Sequence, residues 1–200
     1  MAESKDRLHK NSTSTKSARG KECDLLIADF MSEDDSSREN ARLHLVALGE
    51  KALGPLIKAL TDRNDQVRWQ AAKALGQIAS PKAAPALVDA LEDHEFDVRW
   101  LAAEALMAIG VDALEPLLAA LMKRPQSFWL RESAHHLLAH LVGEDVKVDH
   151  HLANHPVSKV IKFRASLAPV MEALHAPDPV NQIPPKAAQA LADLKRPSGK

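Results

Sequence analysis

The sequence VRWQAAKAL at residues 67–75 returns as VRWLAAEAL at residues 98–106, which is 31 positions later. A second pattern, GEKALGPLIKAL at residues 49–60, returns as GVDALEPLLAAL at residues 110–121. The end of this second pattern appears once more, as LAPVMEAL at residues 167–174. Such long matches at a fixed period indicate a repeat protein, in which neighbouring copies of one unit bury a shared core.

Each copy reads as two helices, an A helix followed by a B helix. The B helix opens near a proline, which a first turn tolerates because its N–H groups have no intrahelical partner. Gly49 and Gly110 supply the turn between the two helices. The A helix is amphipathic, with one apolar face at Val67, Ala71, Ala74, Leu75 and Ile78. The pattern predicts an all-α fold, an α-solenoid of about four to five helical hairpins.

Extending the register along the chain predicts every helix. An unpaired B helix is expected at 22–31, and a last short helix at 186–194, after the helix breakers Pro184 and Pro185. An insertion is expected at 143–163, inside the fourth hairpin, where it either rims a binding groove or caps the array. The four hairpins are expected at 37–48 and 52–61, 66–79 and 82–92, 97–109 and 112–123, and 128–142 and 166–175.

Composition sets the limits of the repeat domain, which we expect at 21–195. Hydrophobic residues make up 46% of the chain but aromatic residues only 4%, so the core must be built from Ala and Leu. Residues 1–20 hold little to bury and are expected to be a disordered basic tail, with a second disordered end at 196–200. Acidic residues dominate 22–39, so the basic tail either folds back on its own chain, binds another acidic surface or only solubilises the chain; we favour the last.

Several features favour a cytoplasmic protein. A single cysteine, Cys23, excludes an internal disulfide framework, and residues 1–20 contain no apolar segment of a signal peptide. No uninterrupted apolar run approaches the roughly 18 residues that a membrane span needs, so no membrane partner is expected. The formal net charge of -1 argues against a nucleic-acid partner, because phosphate neutralisation requires basic side chains.

The two patterns together resemble HEAT repeats, in particular the short repeats of phycobilisome-lyase-type HEAT-like proteins. The resemblance covers about 22–142 and resumes at 166–175. It implies a ladder of hydrogen bonds between repeats, made by an Asp six residues before the Arg of each A helix. The pairs with this spacing are Asp62 with Arg68 and Asp93 with Arg99, whereas Ser32 precedes Arg38 and a longer linker precedes Arg131.

Trp69 and Trp100 occupy equivalent positions in neighbouring repeats. The small residues Ala72 and Ala103 lie one turn further along each helix. This arrangement favours rings that lie flat between repeats and are buried there. The alternative is an exposed binding pair, because Trp is a frequent anchor of protein interfaces.

Histidine is concentrated in the last third of the chain. His136 and His140 are one helical turn apart, a spacing that two ligands of one metal ion can use. Three more, His150, His151 and His155, lie in the predicted insertion. Together with the resemblance to the phycobilisome-lyase type, these histidines imply an alternative function, an accessory factor that binds a metal or a tetrapyrrole through the fourth repeat. We favour a polar surface without metal or cofactor, because local spacing alone is weak evidence for a site.

Two enzyme classes built from HEAT-like repeats fail on the residues present. Deoxyhypusine hydroxylase holds two irons with His-Glu pairs on successive helices, but the only His-Glu pair here, His94-Glu95, falls in a loop between repeats. HEAT-like DNA glycosylases need a basic concave face, and the B helices here are mixed, with Lys58, Asp89, Glu92, Glu115, Lys123 and Glu172. The sequence favours a non-enzymatic module, with no catalytic residues, that binds an unidentified protein or peptide along the groove lined by B helices.

Overall fold

The computed structural model describes residues 21–142 and 157–195, and every regular element in these ranges is a helix. The basic tail at 1–20, His150, His151 and His155 lie outside the described residues. The chain divides into two compact units, Met1–Ile78 and Ala79–Lys200. The predicted all-α class is confirmed.

The N-terminal unit contains four helices among its described residues. Helix α1 covers residues 21–28 and continues into a 3-10 turn at Asp29–Met31. The other three are α2 at Asp35–Leu48, α3 at Leu53–Ala59 and α4 at Asp65–Ile78. Helix α4 packs against both α2 and α3, and the turn after α1 packs against α2 and α4.

The C-terminal unit contains six helices among its described residues. These are α5 at Ala84–Ala90, α6 at Phe96–Ile109, α7 at Leu114–Lys123, α8 at Phe128–Val142, α9 at Val157–Leu174 and α10 at Pro179–Lys195. Helix α5 packs against α6 and α7, and α8 packs against α6 and α9. The helices from α2 to α8 begin and end close to the predicted positions, because the apolar phase fixes which residues face the core.

Glycines close the turns between the paired helices, as the sequence predicts. Gly49 ends α2 with φ +56°, and Gly110 ends α6 with φ +76°. Glycine adopts positive φ without steric cost, because it has no Cβ. The equivalent turn after α4 has no glycine, and Ala79 adopts φ +51° there.

The core of each unit is built from leucine and alanine. Phe30 is the large exception, fully buried in the N-terminal unit beside Leu45, Leu56 and Leu75. The C-terminal unit buries a larger set of leucines, namely Leu87, Leu91, Leu106, Leu114, Leu117, Leu118, Leu121 and Leu130. Among the side chains that the structure describes, Phe30 is the one Phe or Trp in the core, so the other described rings lie outside it.

The last two helices differ from the prediction. Helix α9 begins at Val157, so it includes part of the predicted insertion at 143–163, and it carries Pro169 in its interior. Helix α10 begins at Pro179 and runs through Pro184 and Pro185, which we expected to break it. A buried face of Ile183, Ala187 and Ala190 holds this helix in place. Tertiary packing thus outweighs the local cost of proline inside a helix.

Helix α10 also changes how the fourth hairpin is completed. It packs against α9 and against α7, so it lies beside the B helix of the third hairpin. An ion pair between Lys195 Nζ and Glu115 Oε1, 2.5 Å apart, joins the end of α10 to α7.

One stretch of the described chain, Phe96–Lys123, is long and apolar enough by composition to cross a membrane. In the structure this stretch is the pair α6 and α7, joined by a 3-10 turn at Gly110–Ala113. Its most apolar window is 56% buried inside the protein. Much of this stretch thus forms part of the protein core, although Phe96 and Trp100 within it are exposed.

Candidate functional site: an exposed aromatic surface

Four aromatic side chains lie exposed on the A helices of the C-terminal unit. The exposed fraction is 63% for Phe96, 48% for Trp100, 54% for Phe128 and 48% for Trp129. The sequence contains seven Phe and Trp residues in all, so more than half of its rings lie on this one surface. We call these four residues the aromatic surface. Exposed rings of this kind mark interaction sites more often than single exposed aliphatic residues do.

The rings form one pair on each of two neighbouring helices, and His136 contacts one of them across the helices. On α6, Phe96 stacks on Trp100 with 6.3 Å between ring centroids. Trp100 also contacts the imidazole of His136 on α8, at 6.0 Å between centroids. On α8, Phe128 and Trp129 meet edge to face at 5.1 Å.

Arg99 fixes the two helices relative to each other beneath these rings. Its guanidinium lies 3.9 Å from the centroid of Trp129 and 5.7 Å from that of Phe96, so one cation contacts a ring from each helix. Its Nη1 donates hydrogen bonds to the main-chain carbonyl oxygens of Asp93 and His94, at 2.7 and 3.1 Å. Arg99 is buried, and these carbonyl oxygens accept its hydrogen bonds. The rings are therefore held on a rigid base.

Exposed carboxylates accompany the rings. Asp97 and Glu104 belong to α6, and Glu132 belongs to α8, one turn after Trp129. Arg99 is buried, so it does not present a positive charge to solvent at this surface. The surface therefore combines π faces with negative charge.

This arrangement corrects our expectation for Trp100. We expected its ring to be buried between repeats, but it is about half exposed and rests on Phe96 and His136. Trp69 is partly buried, and the ammonium of Lys73 lies 4.6 Å from its ring centroid. The two tryptophans are equivalent in the sequence pattern, yet they lie in the two different units.

Phe128 and Trp129 were not recognised in the sequence. The repeat alignment places Glu132 at the position of Trp69 and Trp100, and Trp129 lies one turn before Glu132, outside the aligned position. The detectable signal was an adjacent Phe-Trp pair in a chain with so few aromatic residues.

The recurring spacing of six residues before the A-helix arginine is explained by a hydrogen bond from the arginine to the main chain within each unit. Arg68 Nη1 donates to the carbonyl oxygen of Asp62 at 2.9 Å, as Arg99 does to that of Asp93. The two Asp side chains also form local hydrogen bonds. The Oδ1 atoms of Asp62 and Asp93 accept from the main-chain N–H groups of Asn64 and Glu95, respectively. A ladder from repeat to repeat stays a prediction.

A second surface lies between the B helices of the C-terminal unit. Helices α5 and α7 enclose a recess of about 710 Å³, walled by Pro81, Pro85 and Pro116 and edged by acidic and basic side chains. Arg124 crosses this edge, with Nη2 2.8 Å from Asp89 Oδ1 and Nη1 2.5 Å from Glu92 Oε2. Ion pairs within the protein thus neutralise much of the charge at the edge of the recess.

The histidines do not converge among the described residues. His136 stacks on Trp100, and His135 meets His175 with 4.2 Å between ring centroids. No group of three or more His, Cys, Asp or Glu side chains that could hold a metal ion occurs in the part of the chain that the structure describes. His140 is exposed at the end of α8. The geometry therefore gives the metal or tetrapyrrole alternative no support.

Comparison with known proteins supports the repeat assignment. Residues 53–139 match the family model of HEAT repeats. This region of the chain consists of HEAT-like repeats. No curated protein matches its sequence. Restriction to the phycobilisome-lyase type stays a prediction.

Two solved structures of artificial proteins are similar to the chain. One is an engineered protein at 19% sequence identity and a TM-score of 0.38, covering 87% of this chain and 96% of its own. The other is a designed armadillo repeat protein at 19% identity and a TM-score of 0.38, covering 86% of this chain and 99% of its own. Both TM-scores are below 0.5, so the family match carries the assignment.

Proposed function

We propose that the protein is a non-enzymatic interaction module whose aromatic surface binds a basic segment of a partner protein. Repeat folds of this kind typically serve as scaffolds for protein interaction. The observation that carries the proposal is the placement of four exposed rings as two stacked or edge-to-face pairs, Phe96 with Trp100 and Phe128 with Trp129. The guanidinium of Arg99 contacts one ring of each pair. Aromatic anchors of this type dominate the binding energy of interfaces.

Charge complementarity supports a basic partner. The exposed carboxylates on the two helices that carry the rings are those of Asp97, Glu104 and Glu132. A Lys or Arg side chain placed over an exposed indole gains about 0.5–2 kcal/mol from the ring, and a nearby carboxylate adds to this attraction. An acidic segment would meet like charges at the same positions.

The proposal has three further parts. The protein has no enzymatic activity, it lies in the cytoplasm, and its partner is neither nucleic acid nor membrane. They rest on the mixed charge and the cysteine content of the sequence.

The recess between α5 and α7 is a second candidate surface for a protein or peptide. Its volume of about 710 Å³ and its three prolines suit an extended segment, and it corresponds to the groove of B helices that we expected from the sequence. Its ion pairs, Arg124 with Asp89 and Lys195 with Glu115, would have to open or remain at the rim on binding. Because these charges already neutralise one another, the recess has less charge with which to orient a partner, which makes it the weaker candidate.

Peptide binding tests the proposal directly. A lysine-rich peptide of about eight residues is titrated against the protein, and tryptophan emission is recorded in a Trp69→Phe background so that Trp100 and Trp129 report alone. A peptide with glutamate in place of every lysine is the matched ligand. We expect saturable binding of the basic peptide, at least about tenfold tighter than the acidic one, and weaker binding at high salt.

Variants then locate the surface. The change Trp129→Ser, read from Trp100 emission, should weaken binding about tenfold. Leu43→Ser is the control, because Leu43 is 47% exposed on α2 in the N-terminal unit. Equal affinity for the two peptides would refute the charge argument, and unchanged binding by Trp129→Ser would exclude the aromatic surface. In the second case, loss of binding by Asp112→Lys would point to the recess instead.

A further inference from the structure

A polar pocket of about 340 Å³ lies between two A helices of the N-terminal unit. Each helix contributes a stripe of four residues spaced at i, i+3, i+4 and i+7, so both stripes face the same space. Helix α2 supplies Asp35, Arg38, Glu39 and Arg42, and α4 supplies Gln66, Trp69, Gln70 and Lys73. The volume lies within the range of pockets that hold small ligands.

The charge and the hydrogen-bond donors of the Arg42 guanidinium are only partly matched by partners within this pocket. The residue is only 5% exposed, yet its acidic partner is Glu39, whose side chain is 63% exposed and whose Oε1 lies 3.3 Å from Arg42 Nη2. Its Nη1 donates to Gln77 Oε1 at 2.5 Å, which is a neutral acceptor. Its Nε is buried without a hydrogen-bond partner. A buried cation in this state gains free energy from any anion that reaches the open donor.

Two further groups on α4 point to the same kind of ligand. Gln70 is 5% exposed, and its Oε1 is buried without a donor. The Lys73 ammonium lies over the Trp69 ring, 4.6 Å from its centroid, and pairs with no carboxylate among the described residues. The pocket thus offers two open donors, Arg42 Nε and Lys73 Nζ, and one open acceptor.

The acidic residues do not block an anion. Asp35 pairs with Arg38, and its side chain is 90% exposed, so its charge lies at the outer rim. Glu39 is likewise exposed and pairs with Arg42. The buried part of the pocket is therefore positive, while the negative groups face solvent.

We infer that this pocket binds a peptide carboxylate that has an amide N–H beside it. The carboxylate accepts hydrogen bonds from Arg42 Nε and Lys73 Nζ, the amide N–H donates to Gln70 Oε1, and the neighbouring side chain rests on the Trp69 ring. A polypeptide C-terminus and an Asp or Glu side chain share this chemistry. The inference goes beyond the proposed function, because the site lies in the other unit and selects the opposite charge.

Three peptide probes separate the possible sources. They are an acetylated Gly-Ala-Leu peptide with a free carboxyl end, the same peptide with an amidated end, and an amidated Gly-Asp-Leu peptide. Binding is followed by the indole N–H resonance of Trp69 in the full chain, up to about 10 mM peptide. We expect the free acid to bind with a Kd in the millimolar range and the first amide at least about tenfold more weakly. Binding of the Asp peptide as tight as that of the free acid would identify a side chain as the natural group.

Variants test which residues form the site. Arg42→Met removes the open donor, and we expect loss of measurable binding. Lys73→Met changes a less buried residue and should weaken binding about tenfold even if Arg42→Met fails to fold. Lys58→Met is the control, since Lys58 is exposed on α3 and does not line the pocket.

Three results would overturn the inference. They are equal resonance shifts with the free acid and the first amide, no shift with any probe, and full binding by Lys73→Met. Equal shifts would mean that the pocket does not recognise the carboxylate, and full binding by Lys73→Met would mean that Lys73 does not hold it. The absence of any shift would mean that water alone satisfies the open polar atoms. None of these results bears on the aromatic surface, whose test uses other residues and basic peptides.

Discussion

Arg131 Nη1 donates a hydrogen bond to the main-chain carbonyl oxygen of Pro125, six residues earlier, at a distance of 3.0 Å. Arg68 and Arg99 make the same bond to the residue six positions before them. Arg38 likewise contacts the carbonyl oxygen of Ser32. Because the acceptor is the main chain, the bond forms whether that residue is Ser, Asp or Pro. The arginine thereby ties the first turn of each A helix to the end of the segment before it.

Replacement of this arginine should destabilise the fold. Arg131→Met keeps the aliphatic stem but removes the donor, which leaves the carbonyl oxygen of Pro125 without this partner. We expect a loss of about 1–2 kcal/mol in the free energy of unfolding, measured by urea denaturation. His140→Gln, an exposed change on the same helix, should stay within about 0.5 kcal/mol of the parent. Equal stability of Arg131→Met and the parent would show that the bond contributes nothing.

The sequence predicts the helices of this protein better than their side-chain partners. The second A helix was expected at 66–79 and is found at Asp65–Ile78, because apolar periodicity encodes the buried face directly. The bond from the arginine to the main chain was not predicted, because a main-chain acceptor has no signature in side-chain identity. The fourth repeat therefore appeared irregular, although Arg131 keeps the same spacing.

The exposed rings illustrate a second limit. Trp100 is apolar and follows a helical register, so the sequence favours burial. Whether a ring is covered depends on which neighbours pack beside it, and here Phe96 and His136 support it without enclosing it. Helix α10 shows the same effect in reverse, because its packing on α7 and α9 overrides two interior prolines.

Stability measurements should separate the exposed ring from the core of the same helix. Trp100 is 48% exposed and Leu106 is fully buried, both on α6. We expect Trp100→Ala to change the free energy of unfolding by less than about 1 kcal/mol, and Leu106→Ala to lower it by about 2–5 kcal/mol. Similar losses in both variants, by urea denaturation, would mean that the ring is buried in solution.

The start of α2 should depend on pH through its N-cap. The Asp34 side chain accepts hydrogen bonds from the Ser37 hydroxyl at 2.7 Å and from the N–H groups of Ser37 and Ser36 at 2.9 and 3.3 Å. The Ser37 hydroxyl, followed by these N–H groups, lowers the pKa of Asp34. A lowered folded-state pKa means that the stabilisation is complete above the unfolded-state pKa, about 3.9, and is lost as pH falls through the folded-state value.

Asp34→Ala tests this dependence. We expect Tm at neutral pH to fall by roughly 2–4 °C, because the first-turn N–H groups lose their acceptor. The difference in Tm between parent and variant should shrink below about pH 4, where the parent carboxylate becomes protonated. Glu33→Ala, at a neighbouring exposed acid, serves as the control for general charge effects. A difference that stays constant down to low pH would contradict the capping role.

The turns between the paired helices offer the last test, because different residues adopt a positive φ there. Gly49 and Gly110 have φ +56° and +76°, whereas Ala79 has φ +51°. A left-handed conformation costs a non-glycine residue about 1–2 kcal/mol, while glycine loses roughly 0.4–1 kcal/mol through the entropy of the unfolded chain. Ala79→Gly should therefore stabilise the protein by about 0.5–1 kcal/mol.

The reverse change provides the matched comparison. A Cβ added at Gly49 meets no atom within 4 Å, so Gly49→Ala introduces backbone strain without a steric clash. We expect Gly49→Ala to lower the free energy of unfolding by at least about 1 kcal/mol, whereas Ala79→Gly should raise it. Both are measured by urea denaturation. Ala119→Gly inside α7 should cost about 0.5–1 kcal/mol, as glycine does in any helix interior. If Ala79→Gly were destabilising to the same extent as Ala119→Gly, Ala79 would not adopt the left-handed conformation in solution, and the turn after α4 would differ from those after α2 and α6.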